Sequence, residues 1–212
     1  MIKSILFSLL GFILSENLQA QRSIRLYNKG LNLANRENYK SAIVFLDRAI
    51  RNDPLFYQAW YNRALCKSRI KDFEAAIHDY SKCIALNPSF SLAYNNRGAD
   101  KNDMGDVEGA LNDYAKAIQL DTTYTRAYFN RGIVWYELKD FQKAFLDFSK
   151  AIELSPGMPE AWYNRGMVNF MLKNYENSLI DFTKATEIRP DYADALQKRE
   201  VLLLALVGKI QK

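Results

Sequence analysis

The sequence predicts an all-α solenoid: five tandem helical hairpins followed by one further helix. Three observations predict it. A period of 34 residues runs without slippage from Ser23 to Tyr192, and such a period marks a repeat array. Small and large apolar residues recur within it at helical spacing. A proline or threonine then closes each copy. The 212-residue chain is 49% hydrophobic, enough for a substantial core, and its net charge of +5 is spread rather than gathered in a basic stripe. That distribution argues against a nucleic-acid partner.

Taken in order, residues 1–20 read as a secretory signal peptide. Lys3 precedes the short apolar run Ile5–Leu14, and "SENLQA" ends at Ala20, the expected cleavage point. The run is shorter than the roughly 20 residues that span a bilayer. Export to the periplasm or secretion is therefore expected, with an uncleaved N-terminal membrane anchor as the alternative. Residues 23–192 divide into copies 23–56, 57–90, 91–124, 125–158 and 159–192, and residues 193–212 form a capping helix and tail.

Within each copy the first helix carries Leu26, Trp60, Tyr94, Tyr128 and Trp162 at position 4, and Gly30, Ala64, Gly98, Gly132 and Gly166 at position 8. The second helix has Ala42, Ala76, Ala110, Ala144 and Ser178 at position 20, and Leu46, Tyr80, Tyr114, Phe148 and Phe182 at position 24. Small residues let two helices approach while large ones fill the space beside them. Asn38, Asp72, Asp106, Asp140 and Asn174 at position 16 are N-cap residues for the second helix. Pro54, Pro88, Thr122, Pro156 and Pro190 at position 32 end it.

This pattern resembles the tetratricopeptide repeat (TPR) family over essentially all of residues 23–192. The resemblance implies a right-handed superhelix whose first helices line a concave face, with positions 2, 5, 6, 9, 12 and 13 turned into the groove. It also implies a protein or peptide partner. The lysine and asparagine of the TPR clamp for chaperone C-termini are missing at positions 5 and 9.

The last segment begins like another first helix but has no second helix after it. Val201, Leu202, Leu203, Leu204, Leu206 and Val207 make it apolar around most of its circumference. It either over-packs on the array or serves self-association or docking, so a homo-oligomer is an open reading.

Each copy also carries an asparagine at position 6 followed by a basic residue at position 7. Arg63, Arg97, Arg131 and Arg165, with Arg199 beyond them, recur with Asp79, Asp113, Asp147 and Asp181 at position 23. We read these as structural ties, each Asp paired with the arginine of the next repeat, because that pairing gives Arg199 a partner in Asp181. Asn28, Asn62, Asn96, Asn130 and Asn164 at position 6 offer donors and an acceptor suited to peptide amides. The competing reading is a solvated or scaffold-bonded asparagine. Tyr27, Tyr61, Leu65, Phe129, Ile133, Tyr136, Tyr163, Met167 and Phe170 make the rest of the expected peptide-binding groove apolar and aromatic, unless several of them are core. Asp100 and Asp103 give it a more acidic middle.

Catalytic material is poor. His78 falls on the solvent side of a second helix, and there is no phosphate-binding loop. "DKNDMGD", Asp100–Asp106, departs from a calcium loop at Met104 and Leu111. No enzyme activity, cofactor, metal or small-molecule substrate is expected. Cys66 and Cys83 occupy small apolar positions and read as buried free thiols, though an exported chain permits a disulfide.

Overall fold

A computed structural model describes the backbone of residues 2–210 and the side chains of residues 18–205. The side chains of the apolar run Ile5–Leu14, and those of Leu206 and Val207, lie outside the described residues. Among the described residues there are eleven helices and no strand. They are α1 (Ile2–Asn35), α2 (Tyr39–Asn52), α3 (Tyr57–Arg69), α4 (Phe73–Leu86), α5 (Ser91–Asp103) and α6 (Val107–Leu120). Then follow α7 (Thr125–Glu137), α8 (Phe141–Leu154), α9 (Pro159–Met171), α10 (Tyr175–Ile188) and α11 (Ala193–Ile210). No helix among these residues is long and apolar enough to cross a membrane.

The helices α3, α5, α7, α9 and α11 all begin at position 1 of the repeat, and α2, α4, α6, α8 and α10 all begin at position 17. The elbow between them has one geometry throughout. Position 15 takes a positive φ in every copy: Glu37 (59°), Lys71 (63°), Gly105 (84°), Lys139 (61°) and Lys173 (64°). The N–H of position 16 returns to the carbonyl of position 11, as in Asp72 to Lys67 (2.9 Å) and Asn174 to Asn169 (2.8 Å). The first helix thus ends in a Schellman turn whose last residue starts the second helix. Asn38 and Asp140 also cap with their side chains, accepting from the N–H of Ser41 (3.3 Å) and Lys143 (3.1 Å). Asp72 and Asn174 occupy the same place without a side-chain cap. Where each copy closes, Asp53, Asn87 and Asp121 accept from the N–H two residues on, turning the chain ahead of the next helix.

The chain forms two compact units, Met1–Asp106 and Val107–Lys212. In the first, α1 packs on α2 and α3 on α4, with α2 against α3 and α4 against α5. Its core holds Ala42, Leu46 and Cys66, then Ala64, Ala76, Tyr80, Cys83 and Ala93. In the second unit α7 packs on α8, α9 on α10, and α11 on α10. Its core gathers Phe129, Ala144, Phe148, Ala151, Ala161 and Val168. Position 8 explains the close approach. A Cβ on Gly132 would stand 2.8 Å from the Phe148 ring, and one on Gly166 2.8 Å from the Phe182 ring. Cys66 and Cys83 are free and buried, and burial pushes their thiols up to about 11 and about 12. They stay protonated and inert.

Candidate functional site: the face of the first helices

The arginines are structural ties, but not with the partners expected from sequence. Three of them, Arg63, Arg131 and Arg165, fork onto the aspartate of their own hairpin. Arg63 donates through Nε (2.7 Å) and Nη2 (2.8 Å) to Asp79, Arg131 does the same to Asp147, and Arg165 to Asp181. The antiparallel hairpin places position 7 opposite position 23, and the aspartate is buried there. The tie to the neighbouring repeat exists too, through the remaining nitrogen. Nη1 of Arg63 reaches Asp47 (2.8 Å), that of Arg97 reaches Ser81 (2.9 Å), and that of Arg165 reaches Ser149 (3.3 Å). Arg199 donates to the Thr186 hydroxyl (2.9 Å) rather than to Asp181. Asp79 takes a further donor from Lys67 (2.8 Å), and Asp181 one from Asn169 (2.8 Å). These buried carboxylates are therefore saturated with donors, as a buried charge requires.

The asparagines at position 6 are partly consumed by the scaffold. Asn62 gives one amide proton to the Tyr27 hydroxyl (3.0 Å) and one to the Gln58 carbonyl (2.8 Å), which leaves its Oδ1 to accept. Asn96 donates to the Tyr61 hydroxyl (2.9 Å) and accepts from Asn95 (3.0 Å). Asn164 donates to the Glu160 carbonyl (2.8 Å). Asn130 is half-buried, and Asn28 is exposed. In the first three repeats position 5 of one repeat thus bonds position 6 of the next, two contacts that the sequence hides because Tyr27 and Tyr61 stand out there as rings rather than as hydroxyls.

Those rings are also less free than expected. Tyr27 packs on Phe56 (4.7 Å between centroids), Tyr61 on Phe90 (4.9 Å) and Tyr163 on Tyr192 (5.1 Å). Tyr27, Tyr61, Leu65, Ile133, Tyr136, Tyr163 and Met167 remain half-buried, and Phe170 is exposed. Phe129 departs from the expectation. It is only 7% exposed, packs against Phe148 in the core and has almost no surface to offer a ligand. An aromatic at position 5 looks the same in sequence whether its neighbours cover it or not.

First helices adjoin one another on this face, α3 with α5 and α7 with α9. Two cavities occur in equivalent register, one in each unit. The first, about 330 Å³, includes Leu65, Ser68, Tyr80, Asn96, Asp100 and Asp103 in its walls, with Arg69 and Lys71 beside them. The second, about 320 Å³, is walled by Phe170, Tyr175, Phe182, Lys198, Val201, Leu202 and Ala205. Asp100 in the first stands where Leu202 stands in the second. It is buried, and its Oδ1 accepts from the Ser68 hydroxyl (2.7 Å). Its Oδ2 is buried without a hydrogen-bond partner. Burial, with Asp103 nearby, pushes its carboxyl up to about 6 despite the Ser68 hydrogen bond. The sequence carries a signal for this. Position 10 is apolar at Cys66, Val134 and Val168 and a neutral, exposed Asn32 in the first copy, so Asp100 is the one acid among the five. His78 is exposed, and no group of His, Cys, Asp or Glu among the described residues is placed to hold a metal ion.

The tetratricopeptide repeat profile matches residues 57–90, 125–158 and 159–192, and a second TPR profile matches 101–139, together more than half of the chain. The chain belongs to the tetratricopeptide repeat family. Its fold is the TPR solenoid, and protein–protein interaction is the class of work that TPR scaffolds do. No curated protein matches the TPR chain in sequence. Among solved structures, it is similar to Pseudomonas aeruginosa pilF, with a TM-score of 0.81 at 21% identity over 90% of this chain and 87% of that one. YrrB, described as a TPR protein with an unusual peptide-binding site, gives 0.70 at 22% identity over 90% and 97%. MamA from Desulfovibrio magneticus RS-1 gives 0.73 at 18% identity over 81% and 97%.

Proposed function

We propose that this TPR protein is an exported, non-enzymatic scaffold that holds an extended peptide or protein segment against the face of its first helices. The observation that carries the reading is Asn62. Both its amide protons are held within the scaffold, so its Oδ1 is an oriented acceptor on a half-buried surface beside Tyr61 and Leu65. An extended segment offers backbone N–H groups at regular spacing to such an acceptor, and apolar side chains to the rings beside it. The peptide-binding site described for YrrB, which has a similar fold, supports a segment as ligand. Residues 1–20, with their short apolar run ending at Ala20, support export.

A photo-crosslinking residue at Met167 or Leu65, used in intact cells, tests the reading. Crosslinks to a defined segment of one protein, weakened on Asn62→Ala, which removes the acceptor, are the expected outcome. Crosslinking unchanged by substitution along the whole face would sink it. Cell fractionation with N-terminal sequencing tests export and cleavage after Ala20.

A second reading has its own observation. Leu202 of α11 is buried, but Val201, Leu203 and Leu204 remain exposed, Leu204 at 68%. Self-association or docking into a larger assembly through α11 would cover them. Light scattering of the protein and of Leu204→Glu separates the two, since a monomer in both cases removes self-association.

A further inference from the structure

Asp100 is a buried carboxylate without an arginine. Asp79, Asp147 and Asp181, buried to the same degree, each receive a forked guanidinium from the same hairpin. Asp100 is only 3% exposed, holds the Ser68 hydroxyl on one oxygen, and has no ion pair among the described residues. Its second oxygen has no donor among them either. The scaffold does not ask for an acid there, since Val134 and Val168 fill the same register position and are buried. A buried charge kept where a valine fits costs stability, and such a group marks a site when it borders a cavity.

The cavity beside it suits one kind of visitor. Its volume, about 330 Å³, lies at the low end of the range for small-ligand sites, about 300–1,000 Å³. Leu65 and the Tyr80 ring give it apolar wall for an aliphatic stem, while Asp103 adds a second negative charge. Arg69 and Lys71 border the same space without pairing with Asp100, which disfavours a segment carrying several positive charges together.

We propose that this cavity is a specificity pocket for a single basic side chain, arginine or lysine, of the bound segment, with Asp100 accepting from its cationic head and Asp103 at the mouth. The inference rests on the reading that a segment lies along the first-helix face. The pocket replaces for Asp100 what Arg63 supplies to Asp79. Its register equivalent in the second unit, with Leu202 in place of the acid, takes no cation.

The test uses the full chain and single-residue probes, so that it reads the pocket independently of the partner. N-acetyl-arginine amide, N-acetyl-lysine amide and the neutral isostere N-acetyl-citrulline amide are titrated while backbone amide NMR shifts are followed. Saturable shifts at Ser68, Asn96, Asp100 and Asp103 are expected with a basic probe and about tenfold weaker binding with citrulline amide, reflecting the loss of one charge-assisted contact. Asp100→Val, which thermal unfolding should show to be folded and no less stable, is expected to abolish those shifts. Equal binding of citrulline amide, binding unchanged in Asp100→Val, or no saturable shift at these residues with either basic probe would each overturn the proposal. If the pocket is silent while crosslinking along the first-helix face persists, the pocket falls and the groove stands. If the probes bind but no segment is captured, the groove reading is the one that fails.

Discussion

The two cavities share a frame and differ in chemistry. Tyr80 and Phe182 occupy one register position, Phe73 and Tyr175 another, and each cavity lies between a repeat and the first helix that follows it. Against that common background, Ser68 is replaced by Phe170, Asp100 by Leu202 and Asp103 by Ala205. These exchanges, with Asn96 replaced by Lys198 and Ala99 by Val201, turn an acid-bearing pocket into one without an acid at nearly equal volume. The labour is divided by position: 7, 8, 20, 23 and 24 hold the hairpin, while the residues at 10, 12 and 13 decide what each of these two pockets offers.

The largest effect is expected where the shared frame itself is cut. Asp79→Ala in the first unit and Asp181→Ala in the second each leave a half-buried arginine fork without its buried carboxylate. Each should lose about 3–5 kcal/mol in denaturant unfolding; a large loss in one unit and none in the other would show that the frames differ. Next comes the swap of the acid. Leu202→Asp places an unpaired carboxylate against Phe182 and should cost about 2–5 kcal/mol. Asp100→Val should do the reverse and stabilise at pH 7.5 by about 1–3 kcal/mol.

Asp100 also sets a pH dependence that Leu202 does not share. Its carboxyl is raised from 3.8 to about 6, so the folded chain keeps that proton to higher pH than the unfolded chain does. Stability from this group is therefore present below about pH 4, falls as pH rises through about 6, and is absent above it. Chemical unfolding from pH 4 to pH 7.5 should show a steeper decline in the wild type than in Asp100→Val, by up to about 3 kcal/mol. Parallel profiles would mean that Asp100 titrates normally. The smallest effect concerns the elbows. Lys71→Gly and Lys173→Gly relieve a positive φ in each unit and should raise stability by at most about 1 kcal/mol each, seen as a small rise in Tm.

Most of the fold was legible because a repeat states its pattern five times. A small residue at position 8, a large apolar one at position 24 and the positive-φ elbow at position 15 answer packing and backbone demands that recur in every copy. The candidate site was less legible for the opposite reason. Asp100 is informative because it departs from its register mates, and its burial depends on which neighbours cover it. The Arg–Asp pairing failed on a related point. Positions 7 and 23 face each other within one hairpin and also lie near the next one, and Arg199 alone does not decide between them. Ser81 and Ser149, which accept the remaining guanidinium nitrogen, are the better clue. Phe129 and Tyr61 sit at the same register position, yet one is core and the other half-buried, a difference made by packing rather than by residue type.

The position 7 arginines have a consequence for how this protein melts. A guanidinium such as that of Arg165 spans three helices, with two nitrogens on Asp181 of α10 and one on Ser149 of α8. Fraying one hairpin therefore strips a hydrogen-bond partner from its neighbour as well. Arrays built this way behave as a chain of coupled elements, in which each lost unit lowers the cost of losing the next. Within each compact unit, unfolding is expected to travel as a front from an end rather than to open a gap in the middle.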